Sequence, residues 1–135
     1  MVKVKWIDRM KFYAVGKSGH GVLMDASSDV GGDDTAAKPM EFFLFSLGGC
    51  TGIDVVAILK KMRVEIEEFW MEISSERRAE HPKYYTSVEI VYHFVGCNLP
   101  FEKIKKAVDL SQNKYCSVSA MIKKFAHLSY EIVLH

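Results

Sequence analysis

The stretch KPMEFFLFSLGGCTGIDVVAILKKM, residues 38–62, decides the fold. Apolar side chains cover nearly every side of a helix drawn over it, and its only carboxylates are Glu41 and Asp54. A helix with so little polar surface is expected to be buried on all sides. Pro39 suits the first helical position, and the lysines near the end complement the negative end of the helix dipole.

Three glycines interrupt the middle of this helix, with Gly48 and Gly49 before Cys50 and Gly52 shortly after it. Each glycine in a helix interior costs roughly 0.8–1 kcal/mol relative to alanine. The cluster therefore predicts close approach of another backbone, or a local break, beside the thiol. The helix alone leaves Cys50 open between a small packed side chain and a nucleophile. A membrane span is a further alternative, since a span needs roughly 20 apolar residues.

Length and charge limit the classes of function. A chain of 135 residues fits a single domain, 1–135, with a real core. The net charge of +1 gives no reason to expect binding to nucleic acid or to a membrane surface. The first ten residues lack the apolar core of a secretory signal, which predicts a cytoplasmic protein.

The cysteines give no sign of a metal or of a disulfide framework. The chain has three of them, Cys50, Cys97 and Cys116, an odd number without the paired spacing of zinc sites. We therefore predict no metal and no cofactor. Cys97, which follows a predicted strand, is interpreted as a bystander.

The apolar pattern predicts an α+β fold. Alternation predicts strands at 2–6, 11–15, 21–24, 69–75, 87–95 and 128–134, and helical spacing predicts helices after Pro100 and over 116–125. The first three strands form an antiparallel meander, and residues 26–38 form a long surface loop. Turn chemistry at His81-Pro82 predicts a hairpin between 69–75 and 87–95, and the helix after Pro100 should end or bend near residues 113–115. Because strands and helices do not alternate regularly, the pattern favours α+β over a parallel α/β sheet.

Two cysteine contexts and their neighbouring runs resemble a known family. The runs are HGVLMD (20–25), KPMEFFLFSLGGC (38–50) and AVDLSQNKYCSVSAM (107–121). They resemble the OsmC/Ohr family of thiol-dependent hydroperoxide reductases, and in particular its YhfA-like branch. The resemblance covers essentially the whole chain, and it implies an intertwined homodimer with the long helix at its centre and a site at the subunit interface.

The resemblance also implies the roles of two thiols. Cys50 corresponds to the cysteine that attacks the peroxide, and Cys116 to the one that resolves the sulfenic acid to a disulfide. A dithiol reductant restores the pair. The apolar run before Cys50 favours organic hydroperoxides over hydrogen peroxide, which has no apolar surface to bury.

The chain departs from the family at the residues that activate the thiolate. Family members carry a glutamate directly after the helix-opening proline, where this chain has Met40, and Glu41 follows on another side of the helix. The activating arginine of the N-terminal region has no convincing counterpart, although Lys17 lies in a comparable turn. Asp54, one helical turn after Cys50, opposes thiolate formation if it faces the thiol.

These departures leave two functions open. In the first, another cation such as Lys17, Lys38 or Lys114 replaces the arginine and the protein reduces organic hydroperoxides. In the second, the protein is a non-catalytic homodimer that binds a hydrophobic ligand or senses redox state, with its cysteines acting as a latch or merely packing.

Overall fold

The chain begins with a three-stranded antiparallel sheet, seen in a computed structural model that describes residues 1–135. Its strands are β1 (Lys3–Trp6), β2 (Phe12–Val15) and β3 (Gly21–Met24). β2 lies in the centre and pairs with both neighbours. This is the meander that the alternating pattern predicts. The expected buried face is not formed within one chain, because every residue of β1 is exposed.

The loop after β3 is folded around a buried carboxylate. Asp25 is 2% exposed and accepts hydrogen bonds from the backbone N–H groups of Ala26, Asp33 and Thr35 and from the Thr35 hydroxyl. The Thr35 hydroxyl bond is the main reason that the pKa of Asp25 lies well below its usual range. The loop also contains a 3-10 turn, Ser28–Val30. Local side-chain bonds therefore give this Asp- and Gly-rich segment a defined conformation.

The central helix α1 spans Pro39–Lys61, close to the predicted bounds. Pro39 occupies the first helical position, and the Glu41 carboxylate accepts a hydrogen bond of 2.7 Å from the backbone N–H of Lys38. This is the reciprocal half of a capping box, in which the third helical residue satisfies the N–H of the residue before the helix.

One chain covers only one face of α1. The buried residues recur at helical spacing and are Leu47, Thr51, Gly52, Val55 and Leu59. On the opposite side Ile53 is 73% exposed and Val56 is 40% exposed. One chain therefore leaves part of α1 uncovered, and burial of the helix on all sides, which would need a second copy, stays a prediction. By length and composition α1 passes the test for a membrane span, but it is the central helix of an α+β fold.

The second sheet has the order β4-β5-β6. β4 (Glu68–Arg77) and β5 (Tyr85–Val95) form the predicted antiparallel hairpin, and β6 (His127–Leu134) pairs with β5 in parallel. The connection from β5 to β6 contains α2 (Phe101–Leu110), a π-helical turn (Ser111–Tyr115) and α3 (Ser117–Ile122). The sequence correctly predicts a bend near residue 113, and the π turn is the form that it takes.

The core of this second part is built from β5 and α2. Alternate residues of β5 are almost fully buried, namely Val88, Ile90, Tyr92 and Phe94. α2 contributes the buried residues Ile104, Ala107 and Val108. The chain forms two compact units, Met1–Phe45 and Ser46–His135, and the second unit contains all three cysteines. A single domain over residues 1–135 stays a prediction.

Candidate functional site

Cys50 and Cys116 lie side by side with a carboxylate. The Sγ atoms of both cysteines and a carboxylate oxygen of Asp54 all lie within 4.8 Å of one another. Cys50 is half-buried on α1, Cys116 is buried, and both are free thiols. Asp54 follows Cys50 by four residues, so both side chains project from the same face of the helix. The fold thus joins two thiols that are far apart in the sequence, and it turns Asp54 towards them.

The π turn and α3 hold Cys116 in place. The backbone N–H of Cys116 donates to the Ser111 carbonyl at 2.8 Å, at the end of the π turn. Cys116 is also the residue that caps α3, and its Sγ accepts a hydrogen bond of 3.4 Å from the backbone N–H of Ser119. One backbone group therefore holds the main chain of Cys116, and another holds its thiol.

Burial raises the pKa of the Cys116 thiol. Hydrogen bonds from Ser119 act in the opposite direction, while the neighbouring Cys50 thiol adds to the increase. A group that is desolvated in this way favours its neutral form. Cys116 therefore holds its proton more firmly than an exposed cysteine does.

A buried hydrogen-bond network locks α1 to the π turn. The Thr51 hydroxyl lies 2.7 Å from the Tyr92 hydroxyl and 2.8 Å from that of Ser111, while Gln112 Nε2 donates to Tyr92 at 2.6 Å. All four side chains are almost fully buried. Ser111 also donates to Asp54 Oδ2 at 3.0 Å. Because Thr51 follows Cys50 and the π turn leads to Cys116, the network sets the distance between the two thiols.

Sequence reasoning misses this network. Burial raises the pKa of Tyr92 to about 12, against opposing hydrogen bonds from Thr51 and Gln112. A usable signal is the pair Ser111-Gln112, which continues the apolar face of α2 with polar residues. Polar side chains at buried positions are rare unless they are hydrogen-bonded.

Two of the candidate cations have other partners, and the third belongs to the N-terminal unit. Lys38 Nζ pairs with Asp34 Oδ1 at 3.0 Å, and Lys114 Nζ lies 5.2 Å from the centre of the Tyr115 ring. Lys17 is exposed in the turn between β2 and β3, in the N-terminal unit. A role for any of them in activating Cys50 stays a prediction.

Met40 and Glu41 both lie in the first turn of α1, within the N-terminal unit. The Glu41 carboxylate is engaged by the backbone of Lys38, so its evident role is to cap the helix. Cys97 is exposed in the loop after β5 and is not part of the thiol cluster.

The glycines of α1 accommodate side chains of β4 and not another backbone. A Cβ atom at Gly48 would lie 3.3 Å from Ile73 Cδ1, and one at Gly52 would lie 3.0 Å from Met71 Cε. Gly49 faces open space. Here α1 and β4 border a shallow cavity of about 620 Å³ with almost entirely apolar walls, which we call the apolar groove. Its lining includes Gly48, Gly49, Gly52, Ile53, Phe69 and Met71.

Comparison with known proteins gives consistent matches. A family model described as OsmC-like protein matches residues 31–131. Protein YhfA of Escherichia coli (strain K12) is 40% identical over 133 residues, which are 97% of this chain and 96% of YhfA. A solved structure of a hypothetical protein from Aquifex aeolicus VF5 is 33% identical with a TM-score of 0.82, over 100% of this chain and 96% of that one.

A more distant match shares the fold alone. An organic hydroperoxide resistance protein OsmC from Legionella pneumophila superposes with a TM-score of 0.71 at 15% identity, over 98% of this chain and 94% of that one. The recurring architecture is the three-stranded sheet, the long helix and the second sheet with its helices.

Proposed function

The chain belongs to the OsmC-like protein family, and from that premise we propose that it reduces organic hydroperoxides through Cys50 and Cys116. The observation that carries the proposal is the distance between the two thiols, whose Sγ atoms lie within 4.8 Å. Two free thiols so close can pass between the dithiol and the disulfide with small side-chain movements.

Burial supports the assignment of the two roles. Cys50 is half-buried and accessible to substrate, whereas Cys116 is 3% exposed and its pKa is raised. A nucleophile must reach the peroxide as a thiolate, while a resolving thiol reacts only with its neighbour. We therefore assign the attack on the peroxide to Cys50 and the resolution to Cys116.

The reaction proceeds in three balanced steps. The Cys50 thiolate attacks the terminal peroxide oxygen, an S–O bond forms as the O–O bond breaks, and Cys50 becomes a sulfenic acid while the alkoxide takes a proton and leaves as an alcohol. Cys116 sulfur then attacks Cys50 sulfur, which forms the disulfide and releases the sulfenic oxygen as water. A dithiol reductant transfers two electrons by thiol–disulfide exchange and restores both thiols.

The apolar groove supports an organic substrate. Its lining includes Gly49, the residue before Cys50, but neither thiol, and its walls are almost entirely apolar. The alkyl group of an organic hydroperoxide gains free energy by leaving water there, whereas hydrogen peroxide has nothing to bury. The Legionella pneumophila protein of the same fold is called an organic hydroperoxide resistance protein.

We further propose a cytoplasmic homodimer. Exposed apolar residues lie on β1 in the first unit, among them Val4 at 55% and Trp6 at 60%, and on α1 in the second unit, where Ile53 is 73% exposed. Large exposed apolar surfaces are costly in water and mark contact sites. A second copy would cover the uncovered face of α1, and a reducing compartment would keep the thiols free.

One observation favours the second candidate function, a dimer that binds a hydrophobic ligand or senses redox state without catalysis. The Asp54 carboxylate is the group that faces both thiols, where a peroxidase needs a cation to stabilise the thiolate. Lys17, Met40 and Glu41 remain the proposed contributors from the N-terminal unit if the protein is a peroxidase.

The decisive experiment counts thiols and measures intact mass after one equivalent of an organic hydroperoxide. We expect wild type to lose two thiols within seconds, Cys116→Ser to accumulate a sulfenic acid, and Cys50→Ser to stay reduced. Cys97→Ser is the matched control and should behave as wild type. Thiols of wild type that stay reduced over minutes would reject the peroxidase in favour of the ligand-binding or sensing dimer.

A further inference from the structure

The two thiols of the proposed peroxidase reaction form a set of metal ligands together with Asp54, which that reaction does not use. Cys50, Asp54 and Cys116 each direct one ligand atom into a space in which all three lie within 4.8 Å of one another. Thiolates with a carboxylate are a ligand combination that Zn²⁺ accepts, whereas Mg²⁺ and Ca²⁺ require oxygen ligands alone.

We propose that the reduced protein binds one Zn²⁺ ion through Cys50 Sγ, Cys116 Sγ and an Asp54 carboxylate oxygen. Three protein ligands leave the fourth position of a tetrahedral site open to water or to an anion. This inference is independent of the peroxidase proposal, since it requires only the reduced thiols and the carboxylate.

The geometry requires little movement. Zn–S bonds of about 2.3 Å and Zn–O bonds of about 2.0–2.2 Å place the ligand atoms of a tetrahedral site roughly 3.5–3.8 Å apart. The three atoms now lie at most 4.8 Å apart, so small side-chain rotations of Cys50 and Asp54 bring them into range. A disulfide requires more contraction, because its sulfur atoms are only about 2.05 Å apart.

Outer partners already orient two of the three ligands. The Ser111 hydroxyl donates to Asp54 Oδ2 at 3.0 Å and leaves the other carboxylate oxygen available to a metal. The backbone N–H of Ser119 donates to Cys116 Sγ at 3.4 Å, and such bonds stabilise a bound thiolate. Ser111 is held in turn by Thr51 at 2.8 Å. Buried hydrogen bonds therefore hold Asp54 and Cys116 in position.

Electrostatics favour a cation at this position. Two thiolates and a carboxylate placed together repel one another, and a divalent ion between them converts the repulsion into attraction. Zn²⁺ binding releases the two thiol protons to water and transfers no electrons. Asp54, which has no role in the proposed peroxidase reaction, thus has one in the metal-bound protein.

Zinc binding and disulfide formation exclude each other, because Zn²⁺ binds the two thiolates and a disulfide has no thiolate left to bind it. Oxidation of the pair to the disulfide therefore releases the metal. The site would couple the zinc occupancy of the protein to the redox state of its thiols.

The test measures Zn²⁺ affinity by competition with a chromophoric chelator, and Co²⁺ replacement reports thiolate ligation through its near-ultraviolet charge-transfer band. We expect one Zn²⁺ per chain in the reduced protein and in Cys97→Ser. Asp54→Asn should weaken affinity at least about 10-fold, since even the loss of an outer partner of a metal ligand costs about 10–100-fold. Cys116→Ser should lose the charge-transfer band in part and Cys50→Ser likewise.

Chemical modification provides a control in case the variants substituted at the site fail to fold. In Cys97→Ser, alkylation of Cys50 with iodoacetamide should abolish tight Zn²⁺ binding while far-ultraviolet circular dichroism stays unchanged. Equal affinity in Asp54→Asn and wild type would overturn the three-ligand site. Binding that survives alkylation would place the metal on surface histidines and would also overturn it. Neither result bears on peroxide reduction, which is measured with thiols free of metal.

Discussion

The hydroxyl groups of Thr51 and Ser111 lie 2.8 Å apart in a part of the second unit that excludes water. Thr51 directly follows Cys50 on α1, and Ser111 begins the turn that ends at Cys116. This single contact therefore links the two segments that carry the thiols. The spacing of Cys50 and Cys116 depends on a polar network beside them.

Removal of the Thr51 hydroxyl should lower the stability of the fold. Thr51→Val keeps the shape of the side chain but removes one buried hydrogen-bond partner each from Tyr92 and Ser111, which costs about 1–3 kcal/mol in the free energy of unfolding. Urea denaturation of the reduced protein measures the change. The matched control is Thr86→Val, whose exposed hydroxyl donates to the Glu76 carbonyl at 3.3 Å and should matter little. Equal stability of the two variants would contradict a structural role for the network.

Tyr92 should make the protein sensitive to alkali. Its pKa is raised by burial to about 12, above the ordinary value of 10.0 that it regains on unfolding. Because the folded pKa is the higher one, the stabilising effect is complete below pH 10 and is lost as the pH rises through about 12. The difference corresponds to about 3 kcal/mol.

Denaturation at a series of alkaline pH values measures this loss, and tyrosinate absorbance follows the ionisation itself. Tyr92→Phe should be less stable near neutral pH but should show a shallower decline above pH 10. An unchanged slope in Tyr92→Phe would assign the alkaline sensitivity to other groups.

The effect of alanine substitution on stability should distinguish the α1 glycine that faces open space from the one that contacts a side chain. Gly49→Ala places its Cβ where no atom lies within 4 Å, so the better helix propensity should stabilise the chain by up to about 1 kcal/mol. At Gly52 the new Cβ would lie 3.0 Å from the Met71 methyl, and the gain should be smaller. Thermal unfolding of dilute protein compares the two variants. Destabilisation by Gly49→Ala would instead place another surface, such as a second copy, against this face of α1.

Neutralising Asp54 should accelerate reactions of the Cys50 thiolate. Even in a water-like dielectric, two charges 4 Å apart interact by about 1 kcal/mol, so Asp54→Asn should raise the rate of iodoacetamide alkylation about 5-fold or more. The asparagine oxygen can still accept the Ser111 hydrogen bond, which preserves the local structure. Asp29→Asn in the exposed 3-10 turn is the control and should react as wild type. A slower reaction in Asp54→Asn would show that the carboxylate assists the thiol.

The sequence alone predicts most of the fold, because local patterns determine local structure. Pro39 marks the start of α1, and the apolar alternation of β5 continues up to Val95. The turn chemistry around Pro82 predicts the β4–β5 hairpin. Each of these signals lies within a few residues of the element that it specifies.

The sequence alone also determines the family, through the two cysteine contexts, but it does not determine what covers α1. An apolar helix indicates that its surface must be covered, and it does not indicate by what. Within one chain Ile53 stays 73% exposed, so coverage of that face requires something beyond the chain.

The tertiary structure alone decides which side chains meet. The proximity of Cys50, Asp54 and Cys116 depends on how the π turn packs on α1, through contacts between residues that are distant in sequence. No periodicity encodes such contacts, because they follow from three-dimensional packing and from the need to satisfy buried polar groups such as Thr51 and Tyr92. The sequence thus specifies the secondary-structure elements and both cysteines, and packing brings the Asp54 carboxylate next to the two thiols.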